Sequence, residues 1–372
     1  MTLFDRWTAT LDQLRSQGRY RQFAAPGGID FTSNDYLGYA SQPNPSSAEM
    51  SRSGAASRLL RGHHPVWDDV ESALAAWHGA EAVLMMTSGY AANEGLISTV
   101  MEPGDWVATD ELNHACIVDG LRLAKCRRFV FRHNDLNHLE EGLKAEATRS
   151  EAGRGRFVVT ESLFSMDGDR SPLSAIAELA EKYGAHLVVD EAHSTGCYGP
   201  KGSGCVDDAG LRSHVLASVH TGGKALALPG AYIAGPRLLK EYLTNRCRHL
   251  IFTTALPPAV GAWWMAAVPR VMADDARRQR LHENSASFRQ ELAARGVSDG
   301  GSEYVVPVVI GDDARAVAAA ARLREHGFDV RAIRPPSVPP GTARLRISIH
   351  ADHEPAMLVR LADAIAGALS NV

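Results

Sequence analysis

The 372 residues carry 39 basic and 43 acidic side chains, a net charge of -4, and 45% of them are hydrophobic. Near-balanced charge excludes a polycation that coats nucleic acid, no apolar run approaches membrane-spanning length, and the length predicts two domains, or one large α/β unit that holds most of the chain. The first residues lack a secretory h-region, and the five cysteines form no CxxC pair, so neither a disulfide framework nor a zinc site is expected and the reading is cytoplasmic.

In chain order, residues 3–14 have the spacing of a short amphipathic helix, and Pro26-Gly27-Gly28 turns the chain into Phe31 through Gly38. From about residue 80 to 235, short β-rich runs alternate with helical patterns. Residues 82–86 form a buried strand and 90–101 a helix; 106–109 is a second strand, followed by helical spacing over 115–124. Strands at 129–131 and 157–160 precede a helix over 174–183, stopped by Gly184. Strands at 186–190, 215–219 and 231–234 complete the series. This alternation predicts an α/β domain with a mostly parallel sheet and helices on both faces. Ligands of such sheets sit beyond the carboxyl ends of the strands, where Ser88, Asp190 and Thr221 stand.

After Pro258 an Ala- and Arg-rich helical region leads to Gly296. Strands at 304–310, 330–333 and 343–349 and helices over 315–326 and from Glu354 then predict a small α+β domain. Arg344, Arg346 and Ser348 alternate with Leu345, Ile347 and Ile349, the pattern of a half-buried strand, with one of the two arginines facing solvent. The expected division is an N-terminal segment over 1–45, a large domain over 46–258 and a small one over 259–372.

Two segments carry the chemistry. The strand His186-Leu187-Val188-Val189 ends in Asp190, with His193 three residues on. Lys224 follows Thr221-Gly222-Gly223 and precedes the apolar run Ala225 to Leu228, a poor setting for a solvated charge. Pyridoxal phosphate (PLP) chemistry needs such a set: an amine to hold the aldehyde, and a carboxylate to keep the pyridine nitrogen protonated. A P-loop is excluded, because Ser218 and Ala225 stand where a glycine and a hydroxyl residue are required. A metal site built from Asp190, Glu191 and His193 has no supporting HExxH-like helix. Thr87-Ser88-Gly89-Tyr90 joins a strand to a helix, whose free amides suit a phosphate; Ser88 could equally be an ordinary N-cap. Thr221 offers the phosphate a hydroxyl, and His114 could stack on a ring. Arg346 has the planar fork that grips a carboxylate.

The ordered series of motifs resembles the α-oxoamine synthases, a branch of the fold-type I PLP enzymes, over nearly the whole chain. The resemblance rests on Ser33 to Gly38, Gly54 to Gly62, Thr87 to Asn93, Asn113-His114, Phe164 to Asp169, Asp190 to Gly196, Thr221 to Lys224, Phe252 to Pro258 and Arg334 to Arg346. It implies a seven-stranded, mostly parallel sheet domain with a smaller α+β C-terminal domain. It further implies that Lys224 holds PLP and removes the substrate α-proton, and that Asp190 pairs with the pyridinium. His193 and Ser165 would lie near the phenolic oxygen, with His114 on the ring face; Gly89, Tyr90 and Thr221 would bind phosphate. Thr253 and Thr254 would reach the phosphate of a neighbouring subunit, which makes a homodimer with shared active sites. Arg346 would fix the substrate carboxylate near Asn34, with Arg19 and Arg21 as candidates for the acyl chain and Ser337 as a further substrate-binding residue. The implied reaction joins L-alanine to a pimeloyl thioester, on CoA or a carrier protein, with loss of carbon dioxide, in biotin biosynthesis; a branch member using glycine, serine or another acyl chain is the alternative. Ala227 stands where this family commonly has glycine, Pro229 is unusual, and Ser337 replaces a frequent threonine.

Overall fold

The strands, in chain order, are β1 (Ile29–Asp30), β2 (Ala82–Met86), β3 (Trp106–Asp110), β4 (Arg127–Phe131), β5 (Arg156–Glu161), β6 (His186–Asp190), β7 (Val215–Thr221), β8 (Ala231–Gly235), β9 (Val305–Gly311), β10 (Phe328–Asp329), β11 (Arg331–Ile333) and β12 (Ala343–Ser348). They come from a computed structural model that describes residues 1–23, 25–44, 46, 49–149 and 153–370. The chain divides into two units. One comprises Met1–Tyr36, Ser165–Asp169 and Gln279–Val372, and the other Leu37–Phe164 and Arg170–Arg278.

The second unit holds a seven-stranded sheet in the order β2-β8-β7-β6-β5-β3-β4. Neighbours from β7 across to β4 run parallel. Strand β8 is antiparallel to β2 and β7, so the sheet is mostly parallel, as the alternation predicts. Strands β2 and β3 are buried at every position, which is what helices on both faces produce. On one face Leu96, Ile97, Ile117 and Leu121 pack with Leu84, Val107, Val188 and Ile233. On the other, Leu139, Leu143 and Ile176 pack with Ala108, Val158 and Leu187. Each such leucine or isoleucine contributes about 1.5–3 kcal/mol on burial. The helix Leu136–Ala147, absent from the sequence expectations, starts where the Asp135 side chain accepts from the His138 amide.

The other unit contains an antiparallel sheet, β11-β12-β9, with the helices Asp313–Glu325 and Pro355–Ser370. A short parallel pairing of β1 with β10 brings the N-terminal segment into it. Its helix Leu3–Ser16 starts in a full capping box between Thr2 and Asp5 and buries no residue. Strand β12 corrects the sequence expectation: it is buried at all six positions, and neither arginine faces solvent. Arg344 donates to Asp167 Oδ1 (2.6 Å) and the Met166 carbonyl (3.1 Å), and Arg346 donates to the Ser165 carbonyl (2.6 Å). Oxygen acceptors replace the water that the alternating pattern implied.

Candidate active site

Strand ends bring Ser88, Asp190 and Thr221 to one edge of the seven-stranded sheet. Asp190 closes β6 and Thr221 closes β7, while Ser88 follows β2. Because β8 runs antiparallel between β2 and β7, Met86 and Thr221 both register with Ala231. The helix Gly89–Val100 therefore starts beside Thr221; a methyl group on Gly89 would lie 3.6 Å from Thr221 Oγ1. Ser88 Oγ accepts from the Ala91 amide at 3.2 Å. The amides of Gly89 and Tyr90, in the first turn, have no i-4 carbonyl to bind, and the dipole there favours an anion.

Asp190 is buried, and each of its oxygens takes a designated donor. Oδ1 accepts from the Ala192 amide (2.8 Å) and Oδ2 from Asn93 Nδ2 (2.7 Å). Each oxygen keeps a lone pair for a further donor. Asn93 lies one helical turn beyond Gly89, to whose carbonyl it also donates at 3.3 Å. The sequence placed Asn93 inside a motif without giving it a role. Buried His193 follows three residues after Asp190.

His114 caps the helix Ala115–Ala124, its Nδ1 accepting from the Cys116 amide at 3.2 Å. Burial holds its pKa below the ordinary imidazole value; the charge of Lys224 adds to that and Asp190 opposes it. The His114 amide donates to Glu161 Oε1 at 2.6 Å. Glu161 was not selected from the sequence. It ends β5 in register with Asp190, and burial first, then the charge of Asp190, raises its pKa well above the carboxylate range. The only signal for it in sequence is its place at a strand end just before the Phe164–Asp169 motif.

Lys224 occupies the turn between β7 and β8 and is half-buried. The turn is closed by Gly222, whose amide donates to the Gly230 carbonyl (2.9 Å) and whose carbonyl accepts from the Leu228 amide (2.8 Å). Thr253 and Thr254 line a hollow in the same unit with Arg58, Trp67 and Thr87.

In the other unit, Arg346 gathers two further selected residues. Besides the Ser165 carbonyl it donates to Asn34 Oδ1 (2.9 Å) and Ser348 Oγ (2.9 Å). Arg19, Arg21 and Ser337 line a cavity of about 230 Å³ together with Arg334. Arg21 Nη2 reaches Ser337 Oγ at 3.3 Å, whereas Arg19 is engaged by Asp313 at 2.7 Å. Among the described residues, no group of three or more His, Cys, Asp or Glu side chains is placed to hold a metal ion, and no helix is long and apolar enough to cross a membrane.

Comparison with known proteins adds a second line. Residues 26–365 match the model of the aminotransferase class I and II family. The chain is 39% identical to the 8-amino-7-oxononanoate synthase of Chlorobaculum parvum, over 97% of its own length and 97% of that protein. To the synthase of the same name from Anaeromyxobacter dehalogenans it is 42% identical, over 96% of its length and 90% of the relative's. Among solved structures, the serine palmitoyltransferase from S. paucimobilis with a bound PLP–myriocin aldimine superposes with a TM-score of 0.89 at 28% identity, each chain being covered completely.

Proposed function

We propose that this chain, which belongs to the 8-amino-7-oxononanoate synthases within the class I and II aminotransferase family, holds PLP on Lys224 and joins L-alanine to a pimeloyl thioester, releasing carbon dioxide and the free thiol. The observation that carries the reading is the sheet edge itself. A buried carboxylate fixed by two N–H donors, a lysine turn and an anion-ready helix start all stand at the ends of adjacent strands. That set matches the two poles of PLP, a phosphate and a basic ring nitrogen. Gly89 supports the fit by placing a bare Cα beside Thr221 Oγ1, a hydroxyl that also donates to the Gly230 carbonyl at 3.4 Å and accepts from the Gly223 amide at 3.3 Å.

When bound, PLP supplies an electron sink for the charge left on the amino acid's α-carbon. Asp190, held by Asn93 and Ala192, would keep the ring nitrogen protonated; Gly89, Tyr90, Ser88 and Thr221 would take the phosphate. His193 and Ser165 would bond the phenolic oxygen, and His114 would cover one ring face. With PLP bound, the Lys224 amine would take up the substrate's α-proton. The Arg346 fork fixes the substrate carboxylate with Asn34, and Arg19 or Arg21 with Ser337 receives the far end of the acyl chain. Thr253 and Thr254 extend to the phosphate of a second copy, so the working form is a homodimer.

Identity of 39–42% to the synthases against 28% to the serine palmitoyltransferase favours alanine over serine as the amino acid. The purified protein is expected to release thiol from pimeloyl-CoA or pimeloyl carrier protein only when alanine is present. Absence of alanine-dependent release from both donors overturns the reading.

A further inference from the structure

Two residues in the turn that carries Lys224 are poorly suited to hold it. Ala227 sits at a φ of 54°, in the left-handed region that a Cβ disfavours. Pro229 has no N–H to donate across the turn. Its carbonyl instead accepts from the indole Nε1 of Trp264 at 2.9 Å. Trp264 has no exposed surface and lies on the helix Pro258–Ala273.

The same ring lies against the other limb of the turn. A methyl group on Gly222 would come within 2.5 Å of Trp264 Cζ2, so only hydrogen is accommodated there. Tyr232, the second residue of β8, meets the indole edge-on, with ring centroids 5.6 Å apart at 83°. The Tyr232 hydroxyl is fixed in turn at 2.7 Å from His78 Nε2. One rigid, fully packed indole therefore touches the turn on both sides of the lysine.

We propose that Trp264 is a positioning residue for Lys224: it ties the Pro229 limb of the turn to the Gly222 limb and so fixes the backbone from which the amine reaches its partner. This rests on the reading of Lys224 as the PLP-bearing residue. The turn's own backbone bonds join Gly222 to Leu228 and Gly230; the indole adds a side-chain tie at the Pro229 carbonyl.

The test is Trp264→Phe, which removes the N–H together with the outer indole atoms that face Gly222 and leaves an aromatic ring on the helix. Three readouts apply: retention of PLP on dialysis, the pH midpoint of the visible absorbance of lysine-bound PLP, and kcat with KM for alanine. PLP affinity is expected to fall roughly three- to tenfold, the worth of one hydrogen bond. The absorbance midpoint moves with it, and kcat falls more than KM rises. Adding Ala227→Gly recovers part of each change by letting the turn relax. A Trp264→Phe protein that melts earlier but keeps wild-type PLP affinity and midpoint makes Trp264 a packing residue and overturns the proposal. Should that variant fail to fold, Pro229→Gly loosens the same limb from outside the core; the same displacements support the proposal and their absence refutes it. Visible absorbance persisting in Lys224→Ala is a separate failure, that of the PLP reading beneath it.

Discussion

A single methyl group opposes the site it borders at Ala227. Its φ of 54° costs an L-residue about 1–2 kcal/mol, whereas glycine would lose about 0.5–1 kcal/mol more backbone entropy on folding. Ala227→Gly is therefore expected to stabilise the protein by about 0.5–1 kcal/mol, read as a higher denaturant midpoint at unchanged slope. A lower midpoint would show that the turn tolerates the side chain. Asp190 is the opposite case, a residue whose surroundings all favour it. The donors Ala192 N and Asn93 Nδ2 are spent on its two oxygens, so Asp190→Asn keeps the shape, loses the charge and sets an amide against one of those donors. Losing a preorganised charge of this kind costs about 10²–10³-fold in kcat. Steady-state thiol release from the variant loaded with PLP checks this, and a loss under tenfold would remove Asp190 from the chemistry.

Elements buried on both faces were the easiest to read, because helices above and below make β2, β3 and β6 continuous apolar runs. The reversal of β8 was not legible: Ala231 to Gly235 has the same composition whichever way it runs, and only its pairing with β2 and β7 reveals the direction. The helix Leu136–Ala147 was missed because few of its residues, Leu139 and Leu143 chief among them, supply its buried stripe. Of the proposed site, Lys224, Asp190 and the turn at Ser88 could be picked from motif alone. Asn93 and Glu161 could not, since a carboxamide or a carboxyl acquires a role only from the strand end it happens to face. Strand β12 misled for a related reason, arginine being counted as solvent-facing when its acceptors lie more than a hundred residues away. That burial has a cost when broken. Arg344 is almost wholly enclosed, while its partner Asp167 retains 34% exposure, which softens the penalty of an orphaned charge. Arg344→Ala is expected to destabilise by about 2–3 kcal/mol in denaturant melts; a change under about 0.5 kcal/mol would place the pair among ordinary surface contacts.

At the scale of the molecule, the interior of the larger unit stores several ionisable groups in their neutral forms, and they pull stability in opposite directions with pH. Burial lowers the pKa of His78 and His220. The unfolded chain then binds more protons than the folded one below about pH 6.5, and these residues weaken the fold as the solution is acidified. Glu191 acts the other way. It has no exposed surface; Oε1 accepts from the Val206 amide (2.9 Å) and Ser194 Oγ (3.0 Å). Among the described residues nothing donates to Oε2. Burial pushes its pKa up to about 7 from an ordinary 4.5. A raised carboxyl contributes stability that is fully present below pH 4.5 and is lost as the pH climbs through 7. Glu191→Gln holds the neutral shape at every pH and does not suffer that loss. Its stability relative to the wild type should therefore grow by about 3 kcal/mol between pH 4.5 and 8, an upper figure from the size of the shift. The two histidines are common to both proteins and cancel in the difference, so paired urea titrations across that range isolate the carboxyl. A difference that stays flat with pH would mean that Glu191 ionises inside the fold as freely as it does in the unfolded chain.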